Sequence, residues 1–528
     1  MNSAASANNA GNAAMKAGNV VEAETLFAEA ARLAPGNPDF AINHAIALSW
    51  LDRHREAIAV LEGHRTAGER DPRYCSARAN SARQLRDLAE AARWYDRSLA
   101  LAPQSPRPLH GRARVALERG EADAARRFEA AIAANRADGE AWLGLVEALS
   151  ASGETQRARE LAERLVSQMP NWVAALRVLA QIRLGAGDAD FASHVADAAR
   201  QKPDDPAIPR AHVEVLEGHD RFEDALTVAT DASETFPHEP YFRLMAGTLA
   251  GYLEDAEAAA AHFEAVDPDL PDGWLMEARF RLQTGEYDRA AALLDRLIEK
   301  RPNDIAAWST RDLLWRLTDN ERAQWLHGQD GMVRMVALPD AYAVLAQVRP
   351  TLHALHDASA FPLGQSLRGG TQTRGGLFER MEPELARLHE AILDALADYR
   401  SGLPEKDDSH PLLSRQDSDW TIAGSWSVRL CGGGDFHAAH LHPQGIISSA
   451  LYCELPDDMG NSGAAERTGW IELGRPPPKM HLDLGPLHVL EPKVGHLALF
   501  PSTLYHGTLP FTEGRRMTVA FDVVQDTR

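Results

Sequence analysis

Cysteine is scarce in this chain. Cys75, Cys431 and Cys453 are scattered over 528 residues, too few and too odd in number for a disulfide framework or a thiolate zinc site. That usage fits a reducing cytoplasm. Positive charge is also in deficit: 55 Lys and Arg against 76 Asp and Glu leave a net charge of −21. A generic nucleic-acid or anionic-membrane binder needs a basic face, so neither partner is expected. No apolar run approaches the roughly 18 residues of a membrane span. The N-terminal MNSAASANNAGNAAMKAG lacks the basic start and apolar stretch of a signal peptide. The expectation is a cytoplasmic protein. Hydrophobic residues are not lacking, at 45% with 25% charged, an ordinary globular mix. At roughly 150 residues per domain, the length implies at least two domains.

The first three hundred residues are rich in Ala, Leu and Arg at helical spacing, and they repeat. Gly18, Ala23 and Pro35 are separated by 5 and 12 residues, and the same spacing recurs at Gly153, Ala158, Pro170; at Gly251, Ala256, Pro268; and at Gly285, Ala290, Pro302. Ala91 with Pro103, and Ala225 with Pro237, keep the second interval without the glycine. Prolines 170, 203, 237, 268 and 302 step by 33, 34, 31 and 34 residues. A helical period near 34 predicts a stacked helix–turn–helix array. Glycine permits the turn between helices, the small alanine sits where they cross, and proline ends the second helix. Trp142 and Trp274 fall in first helices, as core. The segment resembles tetratricopeptide (TPR) repeats over about residues 4–315, with some eight or nine units. Such an array offers a concave face for an extended peptide or another domain.

After residue 315 the texture changes. Residues 376–402 read as an amphipathic helix, and SGLPEKDDSHP as a loop. From Trp420 onward short β runs follow one another: WTIAGSWSVRL, GIISSALYCEL, GWIEL, LHVLEP, HLALFPS and RMTVAFDVV. Their close spacing suggests a sandwich or barrel, most simply a double-sheet jelly roll with helices on its outside. The expected organisation is a repeat array over 1–317, a linker and helical support over 318–410, and a jelly-roll core over 411–528.

FHAAHLHPQG carries His437, His440 and His442; LFPSTLYHGTLPFTEGRRMTV carries His506 and, ten residues on, Arg516, then Thr518. Residues 440 and 442 alternate along a strand and share a face. Two or three imidazoles meeting in a barrel mouth suit a divalent first-row metal. His437, three residues from His440, is expected on the opposite face as a loop or surface residue.

The stretch SWSVRL…HAAHLHPQGIISSALYCELP…GWIELGRPP…EPKVGHLALFPSTLYHGTLPF…RRMTVAFDV resembles the bacterial 2-oxoglutarate–Fe(II) oxygenases near the prolyl and aspartyl hydroxylases, over about residues 420–525. QSLRGGTQTRGGLF (365–378) is similar to the part preceding the barrel in TPR-fused members. The resemblance implies a double-stranded β-helix using Fe(II), 2-oxoglutarate and O₂ to hydroxylate a substrate. It makes His440 and His506 iron ligands. Where the wider superfamily has H-x-Asp or H-x-Glu, this chain has His442. Either His442 is a third ligand, which is the reading preferred here, or a water completes the site and His442 stands behind it. Arg516 would hold the far carboxylate of 2-oxoglutarate with its planar fork, and Thr518 would donate a hydroxyl. Tyr452 would line the pocket or belong to the core, and Arg368 and Gln372 are loop candidates for substrate contact. By analogy with those hydroxylases, a repeat array beside such a domain implies a protein or peptide substrate. The alternatives are a three-His cupin-type dioxygenase of a small molecule, and a non-catalytic scaffold. A zinc hydrolase is disfavoured because no carboxylate adjoins the histidines in sequence.

Overall fold

The computed structural model describes residues 3–359, 366–456, 459 and 467–525. Gln365, the first residue of the segment preceding the barrel, lies outside them. The chain divides into two compact units. One holds the chain up to Ala158 with Glu379–Met381, the other Arg159–Phe378 with Glu382–Arg528.

An N-terminal helical repeat array is followed by an antiparallel β-rich domain. Helices succeed one another in pairs from Ser3–Lys16 with Val20–Leu33 to Pro271–Gln283 with Tyr287–Lys300, followed by Ile305–Leu317. The turn between the helices of each pair contains one residue of positive φ. These residues are 18, 52, 86, 120, 153, 187, 220, 254 and 285, and Asp319 continues the series. Gly18, Gly153 and Gly285 fill the position expected for glycine. In the copies without it, Arg86 (φ 65°) and Asp220 (φ 56°) adopt the same conformation. Ala23, Ala91, Ala158, Ala225 and Ala290, each five residues on, are all fully buried. The copy at Gly251–Ala256–Pro268 is displaced by three residues from its expected register. Gly251 lies inside Pro240–Tyr252, Glu254 makes the turn (φ 61°), and Ala259 rather than the exposed Ala256 is buried. In this copy Glu254 occupies the turn, so the glycine lies three residues before it.

In the first unit the core gathers Ile42, Leu48, Tyr74, Trp94 and Tyr95 between successive helices. Tyr74 resolves its buried hydroxyl by donating to the Leu61 carbonyl at 2.9 Å, which matters because a buried unpaired hydroxyl is costly.

In the second unit the strands are β1 (Arg334–Ala337), β2 (Leu367–Arg368), β3 (Thr371–Gln372), β4 (Trp420–Cys431), β5 (Phe436–His437), β6 (Ile447–Glu454), β7 (Ile471–Leu473), β8 (His488–Leu490), β9 (His496–Pro501), β10 (His506–Thr508) and β11 (Arg515–Gln525). The major sheet has the order β1-β9-β6-β11-β4-β3, the minor one β10-β7-β8, and β2 pairs with β5. All six β runs expected from the sequence are strands. Of the segment 376–402 expected as one amphipathic helix, Pro383–Ser401 is helical, whereas Leu377–Glu379 forms a separate 3-10 turn before it. With Ala341–Asp357 the helix packs on the outer face of the major sheet, over Ile447, Leu451, Leu497, Val519 and Phe521.

The last repeats and the β domain share a core. Trp274, Leu294, Leu297, Leu313 and Leu314 cluster with Met480 and Tyr505, and Leu441, Leu482 and Leu484 pack against them. Arg316 donates to the carbonyls of Gly474 and Gly485. Buried His327 joins Asp312 (3.0 Å) to Thr503 (2.8 Å).

Candidate metal centre and active-site pocket

The three histidines meet because two chain segments press together. His440 and His506 exchange both backbone hydrogen bonds at 3.0 Å, as an isolated bridge. Gly507 permits this approach: a Cβ there would lie 2.9 Å from the His437 carbonyl and 3.0 Å from the Ala439 amide. The expected regular strand across 440–442 is not formed, since β5 ends at His437. The alternation still holds, and both imidazoles face the same point.

Ring centroids lie 4.2 Å apart for His440 and His506, 4.9 Å for His440 and His442, and 4.9 Å for His442 and His506. One nitrogen from each falls within 4.8 Å of the others, the arrangement a metal ion needs. Each Nδ1 is already committed. It faces the Ala438 carbonyl for His440 (2.8 Å), the Leu504 carbonyl for His506 (3.2 Å) and Asp522 Oδ1 for His442 (2.5 Å). Carbonyl and carboxylate oxygens only accept, so each Nδ1 carries the proton and each Nε2 presents a lone pair. The Nε2 atoms of His440 and His442 stand 2.9 Å apart. Two such lone pairs repel unless a cation or proton lies between them. Burial and the neighbouring His442 push the His440 imidazole down to about 3, and burial with His440 holds His506 well below the usual range. Protonation is thereby disfavoured, and the donor set fits a divalent metal.

Around this cluster lies a pocket of ≈ 940 Å³. Arg516 and Thr518 line it from β11, Trp426 from β4, and Gln372 from β3. Arg516 is 2% exposed. Its Nε has no hydrogen-bond partner, and no carboxylate pairs with the guanidinium among the described residues. Burial lowers its pKa below the ordinary arginine value. Tyr452 is fully buried, its ring centroid 5.3 Å from the Arg516 guanidinium carbon and its hydroxyl unpartnered. A buried guanidinium with an unpartnered Nε and no carboxylate partner, beside the Tyr452 ring, can take an anionic oxygen from the pocket. This is where the residues present fit the carboxylate of 2-oxoglutarate. Arg515, the neighbour on the other face of the strand, is exposed.

His437 departs from expectation. It lines the pocket from β5, with its ring 5.8 Å from His440 and its Nδ1 3.2 Å from Ser366 Oγ. The β2–β5 pairing turns it inward, where a regular strand would have turned it out. Arg368 is also at the pocket, but its Nε is held by Asp220 Oδ2 at 2.6 Å.

Two features escape sequence reasoning. Asp522 adjoins His442 in space although 80 residues away in sequence; same-face alternation from Arg516 and Thr518 could have pointed to it. The second is the repeat turn around Glu217–Phe222, whose Glu217, Gly218, Asp220 and Phe222 form a wall of the same pocket. Lys479 ties this wall to the β domain. Its Nζ is 2.8 Å from Glu217 and lies over the rings of Phe222 (5.4 Å) and Tyr252 (4.6 Å). No motif in either segment announces this.

Residues 424–522 match the family described as "Putative 2OG-Fe(II) oxygenase". Residues 14–80, 122–182 and 253–314 match a tetratricopeptide repeat family. The chain carries tetratricopeptide repeats and a domain of the 2-oxoglutarate–Fe(II) oxygenase kind. No curated protein matches it. Among solved structures it is similar to a tetratricopeptide repeat protein from Parabacteroides merdae, with 15% identity and a TM-score of 0.36 over 46% of this chain and 97% of that one. It is also similar to PilF of Pseudomonas aeruginosa, with 17% identity and a TM-score of 0.33 over 39% and 95%. A third is TTC0263 of Thermus thermophilus, with 17% identity and a TM-score of 0.29 over 37% and 99%. Among the described residues no helix is long and apolar enough to cross a membrane.

Proposed function

We propose that the protein is a 2-oxoglutarate- and Fe(II)-dependent dioxygenase that hydroxylates a side chain of a protein or peptide. The observation that carries this reading is the position of a buried arginine without a carboxylate partner, in one pocket with three imidazoles whose free lone pairs converge. His440, His442 and His506 would hold the iron. When bound, Fe(II) supplies oxygen activation coupled to decarboxylation of 2-oxoglutarate, one oxygen atom ending in succinate and the other in the hydroxylated product.

The chain's own residues bind and orient. Arg516 offers two parallel N–H donors to the far carboxylate, Thr518 adds a hydroxyl, and the Tyr452 ring supports the guanidinium from below. Trp426 sets its ring 5.3 Å from His442 as part of the pocket wall. The three-imidazole geometry by itself also suits a cupin-type dioxygenase; Arg516 favours the 2-oxoglutarate reading.

Support for a polypeptide substrate comes from the repeat turn in the pocket wall. Repeats commonly bind extended chains, and here a repeat borders the reacting centre. A substrate seated on the repeats would reach the pocket over Asp220 and Phe222. Mass spectrometry of succinate formed from 2-oxoglutarate and Fe(II), with and without candidate peptides, tests the proposal. Peptide-stimulated succinate with a 16-Da gain on the peptide is the expected result. Absence of 2-oxoglutarate binding at millimolar concentration would return the choice to the cupin-type or scaffold reading.

A further inference from the structure

The H-x-H motif lacks the carboxylate that commonly completes a non-haem iron site, and the structure places a carboxylate one imidazole away. We infer that Asp522 is the positioning residue of this centre. It holds His442 through Nδ1, fixes which nitrogen faces the metal, and brings a negative charge to the site through the ring. The inference rests on the reading of His440, His442 and His506 as metal ligands.

Three observations carry it. The contact is short, 2.5 Å from Asp522 Oδ1 to His442 Nδ1, and it is the one His–carboxylate contact in the triad, since His440 and His506 face carbonyls. The backbone is adapted to it. β11 and β4 pair in register as far as Asp522 with Gly424, but Val523 pairs with Ile422, so Ala423 is an extra residue in β4. Such bulges re-aim side chains beside active sites. The space is kept open as well: a Cβ on Gly445 would lie 3.4 Å from the Asp522 Cβ and 2.9 Å from Ser502 Oγ. A larger residue there would crowd the carboxylate.

Asp522 also lies on the same face of β11 as Arg516, Thr518 and Ala520, all lining the pocket. Its only polar side-chain partner among the described residues is His442. A carboxylate accepting from a ligand histidine fixes the tautomer, orients the ring and raises its basicity; losing it typically weakens metal binding about 10- to 100-fold.

The test uses the full-length protein with Mn(II) and Co(II) as probes. Asp522→Asn nearly preserves shape while removing the charge. The expected result is roughly 10- to 100-fold weaker Mn(II) binding, shifted visible absorption bands of the Co(II) protein, and an unchanged Tm without metal. Asp522→Glu should recover part of the affinity. Wild-type affinity and an unshifted Co(II) spectrum in Asp522→Asn would overturn the inference. So would loss of the fold in Asp522→Asn, which would make the residue a structural support. If the wild-type protein binds neither ion, the metal centre itself fails, a separately readable outcome.

Discussion

Asp220 of the repeat array accepts a hydrogen bond at 2.6 Å from Arg368 of the β domain, and both residues line the pocket that holds the three histidines. The repeats therefore border the candidate active site directly. If the turn guides substrate, Asp220→Ala should raise KM for a stimulating peptide and leave slow, peptide-independent succinate formation intact. Paired exchange, Asp220→Arg with Arg368→Asp, should recover stability but not peptide preference. Unchanged KM in both variants would remove the turn from substrate recognition.

His440→Ala and His506→Ala should each abolish Mn(II) binding measured by calorimetry, since a site with three protein ligands tolerates little loss. His442→Ala should behave the same way if this residue is a ligand. Retained metal with altered turnover would instead place His442 behind a water.

Arg516→Ala should weaken 2-oxoglutarate while sparing the metal. Truncating one member of a buried charge-assisted pair costs on the order of 2–5 kcal/mol, or about 30-fold and upward in affinity. Arg516→Lys should restore only part of this, because a point charge lacks the planar fork. Titration of the Mn(II) protein with 2-oxoglutarate reads the difference.

A fragment of residues 318–528 should not fold soundly. It would strip Leu313, Leu314 and Trp274 from Met480 and Tyr505, remove the Arg316 clamp on two loop carbonyls and leave His327 without Asp312. A fragment of 159–528 keeps all of these and should bind Mn(II) with an affinity close to that of the whole chain. Circular dichroism melts and metal titration of both fragments separate the outcomes.

Acid should destabilise the second unit. His356, between Thr371 and Ser427 at 2.9 Å each, is pushed down to about 3 by burial. Unfolded, it takes up a proton near pH 6.5, whereas folded it stays neutral to about pH 3. The unfolded state binds the extra proton throughout that window, so stability is full above pH 6.5 and falls as the pH drops. His356→Gln should make the pH dependence shallower by up to about 1.4 kcal/mol per pH unit across that range. Denaturant melts of both proteins between pH 4 and 8 provide the check.

Much of this architecture was legible because its signals are local. The repeat shows in alanine and glycine intervals, and the strands in alternation. His440, His442, His506 and Arg516 show through motif spacing, and the structure gathers the three imidazoles within reach of one ion while Arg516 lines the same pocket. What was hidden depends on tertiary pairing. His437 turns inward through its pairing with Leu367. Asp522 reaches His442 across 80 residues. The turn at Asp220 looks like any other in the array until Arg368 and Lys479 are seen beside it. The copy at Gly251 has a simpler cause, since Glu254 takes the left-handed turn that glycine fills in other copies, at a cost of roughly 1–2 kcal/mol.

β11 carries Arg516, Thr518 and Asp522 on one face, with Met517, Val519 and Phe521 in the core on the other. Because side chains alternate, a slip of one residue would turn every one of these polar groups into the apolar core and every apolar one into the pocket. Such a strand has no half-assembled state worth populating. Docking β11 between β4 and β6 delivers the co-substrate arginine and the histidine's carboxylate in one event. Hydrogen exchange along β11 should accordingly report assembly of the pocket as a single cooperative opening.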